Sequence, residues 1–222
     1  MQLFHYHWWT DKVEEMERFY LESGFKTTLR VGRYNGEMHT FNPPLNWEDF
    51  RDKNIRFRII EMVKGQTNLT FGHGKRDMFD HIGFLVTEVE YSKVIERAEE
   101  LKWKVNEGER RTFISTPWKF RIELQKRREV VTQEKQPSIQ AMEIQMPFRE
   151  DPALVSSLLN FELIEQTGGN VTIGNDECTL IFCNSEEKEA SLHTVAYLAD
   201  DDFSNVDPVH TKLIGRTQRW NQ

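Results

Sequence analysis

Apolar and polar positions along this chain fall into short alternating runs broken by single helical stripes, and the same order of elements recurs. Residues 3–9 alternate as a strand does. Asp11-Lys12-Val13-Glu14 then has the form of a capping box. Val13, Met16, Phe19 and Tyr20 follow at helical spacing, with Gly24 placed to end the helix. Strands are predicted at 25–31, 37–41 and 55–62, separated by Gly, Asn and Pro. The first unit therefore reads β-α-β-β-β.

A second unit opens on 80–86, Asp-His-Ile-Gly-Phe-Leu-Val, whose alternation sets His81, Gly83 and Leu85 on one face. Thr87-Glu88-Val89-Glu90 is another capping box, and Val94, Ile95, Ala98 and Leu101 make the helical stripe. Strands are expected at 104–107, 111–115 and 119–126. Residues 129–137 are polar, contain Pro137 and read as a linker. A third unit follows, with a strand at 139–146, a helix started by Asp151-Pro152, and strands at 163–167, 170–173 and 178–184. A fourth begins at 191–198, where the remaining length leaves room for a strand and a helix but hardly for three more strands. The fold class expected is α+β: tandem βαβββ modules forming an open, cup-shaped mixed sheet, then a degenerate, truncated second pair. The domain reading is paired modules at 1–128, the linker at 129–137, and the degenerate third and partial fourth modules at 138–222.

Composition narrows the partners. A net charge of −7 over 222 residues argues against nucleic acid, which needs clustered Lys and Arg; Lys126-Arg127-Arg128 reads as a solvated strand end. No apolar run approaches a membrane span, and the first residues lack the pattern of a signal peptide. Cys178 and Cys183 lack CxxC spacing and read as reduced thiols, which gives a cytoplasmic protein as the expectation.

The repeat gives individual residues their interest. Two βαβββ units side by side make a half-barrel whose floor collects the first and last strands of each unit. On the strands assigned above, those four present His5 (with His7 on the same face), Glu61, His81 and Glu123. Two buried carboxylates repel unless a cation offsets them, and a divalent ion is the simplest offset. Two imidazoles and two carboxylates suit Ni, Zn, Co, Mn or Fe. Arg121 faces the same cup as Glu123, available to an anionic group or to a salt bridge. Trp9 is a candidate for lining the pocket, and Trp8 for packing.

The stretches LFH…TDKVEEMERFYLESGF, IIEM, DHIGFLVTEV…VIERAEELKWKV and STPWKFRIEL carry a resemblance to the vicinal oxygen chelate superfamily (glyoxalase I, bleomycin resistance protein, extradiol dioxygenase). Over residues 1–126 the likeness is greatest to bacterial glyoxalase I. It implies His5 rather than His7 as ligand, with Glu61, His81 and Glu123 completing the set. It further implies a lyase or isomerase that works through an enediolate of a small substrate chelating by adjacent oxygens, with Glu123 moving the proton. His7, Trp9 and Arg121 are then candidates to contact substrate, and the resemblance leaves room for a low-molecular-weight thiol as co-substrate. The alternatives are an Fe(II) extradiol-type dioxygenase, against which the fourth ligand and the placement in the first pair of modules both count, and a non-catalytic protein that sequesters an antibiotic. The truncated fourth unit would leave sheet edge exposed, from which a homodimer is expected.

Overall fold

The structure, a computed structural model, describes residues 1–219. Strand β1 (Gln2–Thr10) is followed by helix α1 (Val13–Glu22), then β2 (Lys26–Tyr34), β3 (Glu37–Thr40), β4 (Arg56–Lys64) and β5 (Thr67–His73). The second unit is β6 (Met78–Leu85), α2 (Glu88–Glu100), β7 (Val105–Glu107), β8 (Thr112–Ser115) and β9 (Arg121–Gln125). The third is β10 (Ser138–Met146), α3 (Leu154–Leu159), β11 (Glu162–Gln166), β12 (Asn170–Gly174) and β13 (Thr179–Asn184). Then come β14 (Ser191–Leu198), β15 (Phe203–Val206) and β16 (Lys212–Arg216). Two open mixed sheets result, in the orders β3-β2-β4-β5-β1-β6-β9-β8-β7 and β11-β12-β13-β10-β14-β16-β15. This is the α+β arrangement of tandem modules expected from the pattern.

Three expectations need correcting. The first unit holds five strands, because β4 turns through Gly65-Gln66 into β5, and β5, not β4, lies parallel beside β1. Strand β3 is an extra edge strand, paired among the described residues to β2 alone. The fourth unit contains three strands and, among the described residues, no helix: a strand needs about half as many residues as a helix to cover the same length.

Helix starts differ as well. Thr87 and Glu90 close the capping box at α2. At α1 the N-cap is Lys12 without a side-chain bond, and Thr10 Oγ1 instead accepts from the Lys12 amide. Helix α3 starts at Leu154, although Asp151 Oδ1 does accept from the Ala153 amide.

The faces opposite the cup form one shared core. Leu3, Tyr6, Trp8, Ile82 and Phe84 from the first sheet pack in the same cluster as Met142, Ile144, Val195 and Tyr197 from the second. Phe84 meets Phe161 edge-on at 5.8 Å, and Tyr6 Oη lies 2.9 Å from Tyr197 Oη. Both cysteines are free thiols. No helix among the described residues is long and apolar enough to cross a membrane.

Candidate metal centre

Strand β1 turns His5, His7 and Trp9 towards the cup, while Tyr6 and Trp8 enter the core. Register fixes the neighbours. His5 faces Asn68 of β5 on one side and Gly83 of β6 on the other; His7 faces Thr70 and His81. Gly83 in turn pairs with Glu123, and His81 with Arg121. A β-carbon at Gly83 would sit 2.9 Å from that of His5, so glycine is what lets the imidazole occupy this floor.

His5, His81 and Glu123 converge, each 2–3% exposed, with one ligand atom apiece all within 4.8 Å of one another. The tautomers follow from their partners. Asn68 Nδ2 donates to the Val130 carbonyl at 2.9 Å, which turns Asn68 Oδ1 towards His5. His5 Nδ1–H therefore donates to that oxygen at 2.8 Å. His81 Nδ1–H donates to Asp80 Oδ2 at 2.6 Å. Both Nε2 atoms are left bearing lone pairs, and they face each other at 3.1 Å. Glu123 Oε2 is 3.3 Å from His81 Nε2.

Two lone pairs at that separation repel unless a shared proton or a cation lies between them. Nitrogens about 2.1 Å from one ion and at right angles to each other stand about 3.0 Å apart. With an ionised carboxylate as third donor, the residues fit a divalent ion. Acceptors on both Nδ1 atoms are the outer partners that orient metal-binding imidazoles.

Charge in the cluster is consistent with this. Burial lowers the His5 pKa to about 4, so the ring is neutral at pH 7. Burial alone would push the Glu123 carboxyl up. A hydrogen bond from His81 and the charges of His5 and His81, present when those rings are protonated, together with the Arg111 charge, outweigh it and hold the group at about 2. Asp80, with His81 and Arg121 beside it, is likewise held well below the usual carboxylate range against its burial.

Of the residues singled out in the sequence, His5, His81 and Glu123 are brought together and Glu61 is not. Glu61 does face the cup, opposite Thr70, but on β4, with β5 between it and β1. Its Oε1 accepts from Thr28 Oγ1 at 2.6 Å. Where a fourth ligand was expected on the floor, β5 supplies Asn68 and Thr70. His7 stands beside the triad with its ring stacked on His81 at 5.0 Å. Its Nδ1 is 2.6 Å from Thr70 Oγ1, and its buried Nε2 has no partner among the described residues. Arg121 is committed to Asp80. Trp9 meets His7 edge-on at 4.6 Å, and Trp8 is buried in the core.

Sequence reasoning missed Asn68, Thr70, Asp80, Arg111 and Phe113. Arg111 Nη1 lies 3.3 Å from Glu123 Oε2. Phe113 meets His81 edge-on at 5.0 Å, with the Arg121 guanidinium 4.3 Å over its ring. Two hollows lie between the sheets, about 430 Å³ beside Phe19 and Tyr197 and about 590 Å³ beside Trp8 and Glu187; neither is lined by the triad.

No family model and no curated protein sequence matches the chain. Solved structures do. A triple mutant of 4-hydroxymandelate synthase from Streptomyces coelicolor superposes with a TM-score of 0.65 at 10% identity, over 100% of this chain and 94% of that one. A Mn(II)-bound glyoxalase from Novosphingobium aromaticivorans gives 0.66 at 11% identity, over 96% and 81%. An extradiol ring-cleaving dioxygenase from B. fuscum gives 0.62 at 12% identity, over 99% and 72%. This is the vicinal oxygen chelate fold. At these identities the likeness fixes how the vicinal oxygen chelate modules are laid out and leaves the chemistry to the residues. In the second sheet those residues are absent. The register around His5, His81 and Glu123 recurs around Ala141, Thr194 and Ile214. His193 falls one position from the ligand site, at the irregularity that Asp80 occupies in β6, and is exposed.

Proposed function

We propose that this chain is a mononuclear divalent-metal enzyme, with His5, His81 and Glu123 as the protein ligands and a small substrate that chelates through adjacent oxygens. The observation that carries this is the pair of facing Nε2 atoms, 3.1 Å apart, each ring tied back through Nδ1, with the Glu123 carboxylate beside them.

The set is two histidines and one carboxylate, the donor combination of non-haem Fe(II) oxygenases. A bound Fe(II) would supply open positions for two substrate oxygens and for dioxygen. Of the two sequence-based objections to a dioxygenase, the fourth protein ligand loses its support with Glu61 on β4, while the placement in the first pair of modules stands. Among the chain's own residues, Asn68 and Asp80 orient the two imidazoles. Phe113, with Arg111 and Arg121 against its ring, packs edge-on to His81, and His7 Nε2 offers a hydrogen-bonding atom to bound substrate.

A glyoxalase-type isomerisation is the second reading, supported by the Mn(II)-bound glyoxalase among the similar structures. Glu123 would then move the proton, and Arg111 Nη1, 3.3 Å from its Oε2, would hold the carboxylate in its ionised form between transfers. An oxygen electrode separates the two. Fe(II)-loaded protein consuming one O₂ per catechol cleaved supports the first; anaerobic turnover of a hemithioacetal supports the second. A protein that retains no metal after anaerobic reconstitution and desalting would overturn both.

A further inference from the structure

Beyond His7 the cup face continues to the end of the sheet, and its chemistry changes there. Trp9 lies across Gly72, where a β-carbon would stand 2.7 Å from the indole ring. The Arg58 guanidinium lies over that indole at 5.0 Å. Trp9, Arg56, Arg58, His73 and Lys75 line a hollow of about 290 Å³, and Met78, in register with Trp9, completes its apolar side. Arg56 pairs directly across the ladder with Arg33. Like charges set opposite each other are destabilising. Among the described residues, Arg33, Arg56, Arg58 and Lys75 make no ion pair with any carboxylate. This happens in a chain whose net charge is −7, so the cluster is not general basicity.

We infer that this end of the cup seats the acidic group of the substrate: an organic acid whose carboxylate is held by Arg56 and Arg58, with its body against Trp9 and Met78. Guanidinium forks match carboxylate geometry, and the indole gives the carbon skeleton a flat wall. Trp9 is four residues along β1 from His5, roughly 14 Å at about 3.4 Å per residue. The substrate's carboxylate thus sits on the order of 10 Å from its chelating oxygens. This deepens the metal-enzyme reading and rests on it only for the chelating end.

Two titrations test it separately. In the first, chelator-treated protein is titrated calorimetrically with phenylacetate and with neutral phenylacetamide at low ionic strength. Saturable binding of phenylacetate alone, at least tenfold weaker in Arg56→Gln/Arg58→Gln, is expected. The two side chains are exposed, and matching Tm values verify that the variant is folded. Equal affinity for acid and amide, or wild-type affinity in the double variant, overturns the inference whatever the metal does.

In the second, Co(II)-loaded protein is titrated with 3-(3,4-dihydroxyphenyl)propanoate and with its methyl ester, following the visible absorption of the metal. Both should perturb the spectrum, the acid at a concentration at least tenfold lower, and the double variant should lose that preference. Equal midpoints overturn the inference and spare the metal reading. If neither compound perturbs the spectrum, the catechol-chelating reading is overturned and the phenylacetate titration alone decides the anion seat.

Discussion

Asn68 illustrates how much of this centre is set by residues that do not touch an ion. Its amide is clamped by the Val130 carbonyl, and its oxygen selects the His5 tautomer. Asn68→Leu should keep the fold and weaken metal binding by about 10–100-fold, the usual cost of losing such a partner. A competition titration with a chromogenic chelator measures it, and an unchanged affinity would remove Asn68 from the centre. His5 itself makes a pH prediction. With its pKa lowered from 6.5 to about 4, the unfolded chain takes up a proton in that window that the folded chain refuses. Stability of the metal-free protein from this group is therefore complete above about pH 6.5 and lost as pH falls towards 4, by up to about 3 kcal/mol. Asp207, raised by burial to about 6, runs the other way: its contribution falls as pH rises from 3.8 to about 6. Wild type must therefore be compared with His5→Gln, and in urea melts from pH 7 to 4 the variant should lose less stability. Parallel curves would show that His5 titrates alike folded and unfolded.

At the scale of elements, most of the centre was legible and one strand was not. His81 and Glu123 could be placed because their strands alternate cleanly and are bounded by a capping box and by turns. Strand β5 alternates too, with Leu69 and Phe71 in the core and Asn68 and Thr70 on the cup. It was hidden by its connection. Gly65, at φ +54°, and Gln66 make a two-residue hairpin that is easily read as the continuation of a strand ending at Met62. One missed hairpin moved the floor by one strand and put Glu61 in the place of Asn68. Glu17 and Arg30 were missed for a different reason: each sits on an element that periodicity identifies correctly. Their buried pair, 2.8 Å apart, also takes the Trp47 indole N–H and the carbonyls of Phe41 and Leu45, and it ties the 41–50 loop to α1. Removing one partner of such a pair leaves a buried charge, so Arg30→Met should cost about 3–5 kcal/mol in a denaturant melt. For the centre, the contrast lies between two glutamates. Glu61→Gln should retain one metal per chain, because among the described residues Thr28 is its only side-chain partner, whereas Glu123→Gln should lose most of it. Elemental analysis after desalting reads the difference; equal loss in both variants would restore Glu61 to the ligand set.

Across the whole molecule the two sheets repeat one another register for register, yet their cups differ: a triad in one, Ala141, Thr194 and Ile214 in the other. The second sheet is what the first packs against. Tyr6 of β1 lies between Tyr20 of α1 and Tyr197 of β14, 3.0 and 2.9 Å away. Tyr20 donates to Asp207 at 2.9 Å, so this hydroxyl chain runs from the back of the cup floor into the second sheet. The linker is fastened as well: the Gln66 amide donates to the Pro137 carbonyl, and the Thr132 amide to that of Gly65. A chain ending at Gln136 would bare this shared core, including Tyr6, Ile82 and Phe84, each 0–1% exposed in the full chain. At about 1.5–3 kcal/mol for each large apolar side chain returned to water, a handful of them matches the whole stability of an ordinary domain. Residues 1–136 alone should therefore be unfolded or aggregated on size exclusion, and should bind metal at least tenfold more weakly than the full chain. A truncated protein that elutes as a folded monomer and keeps its metal would make the second sheet an accessory to the fold.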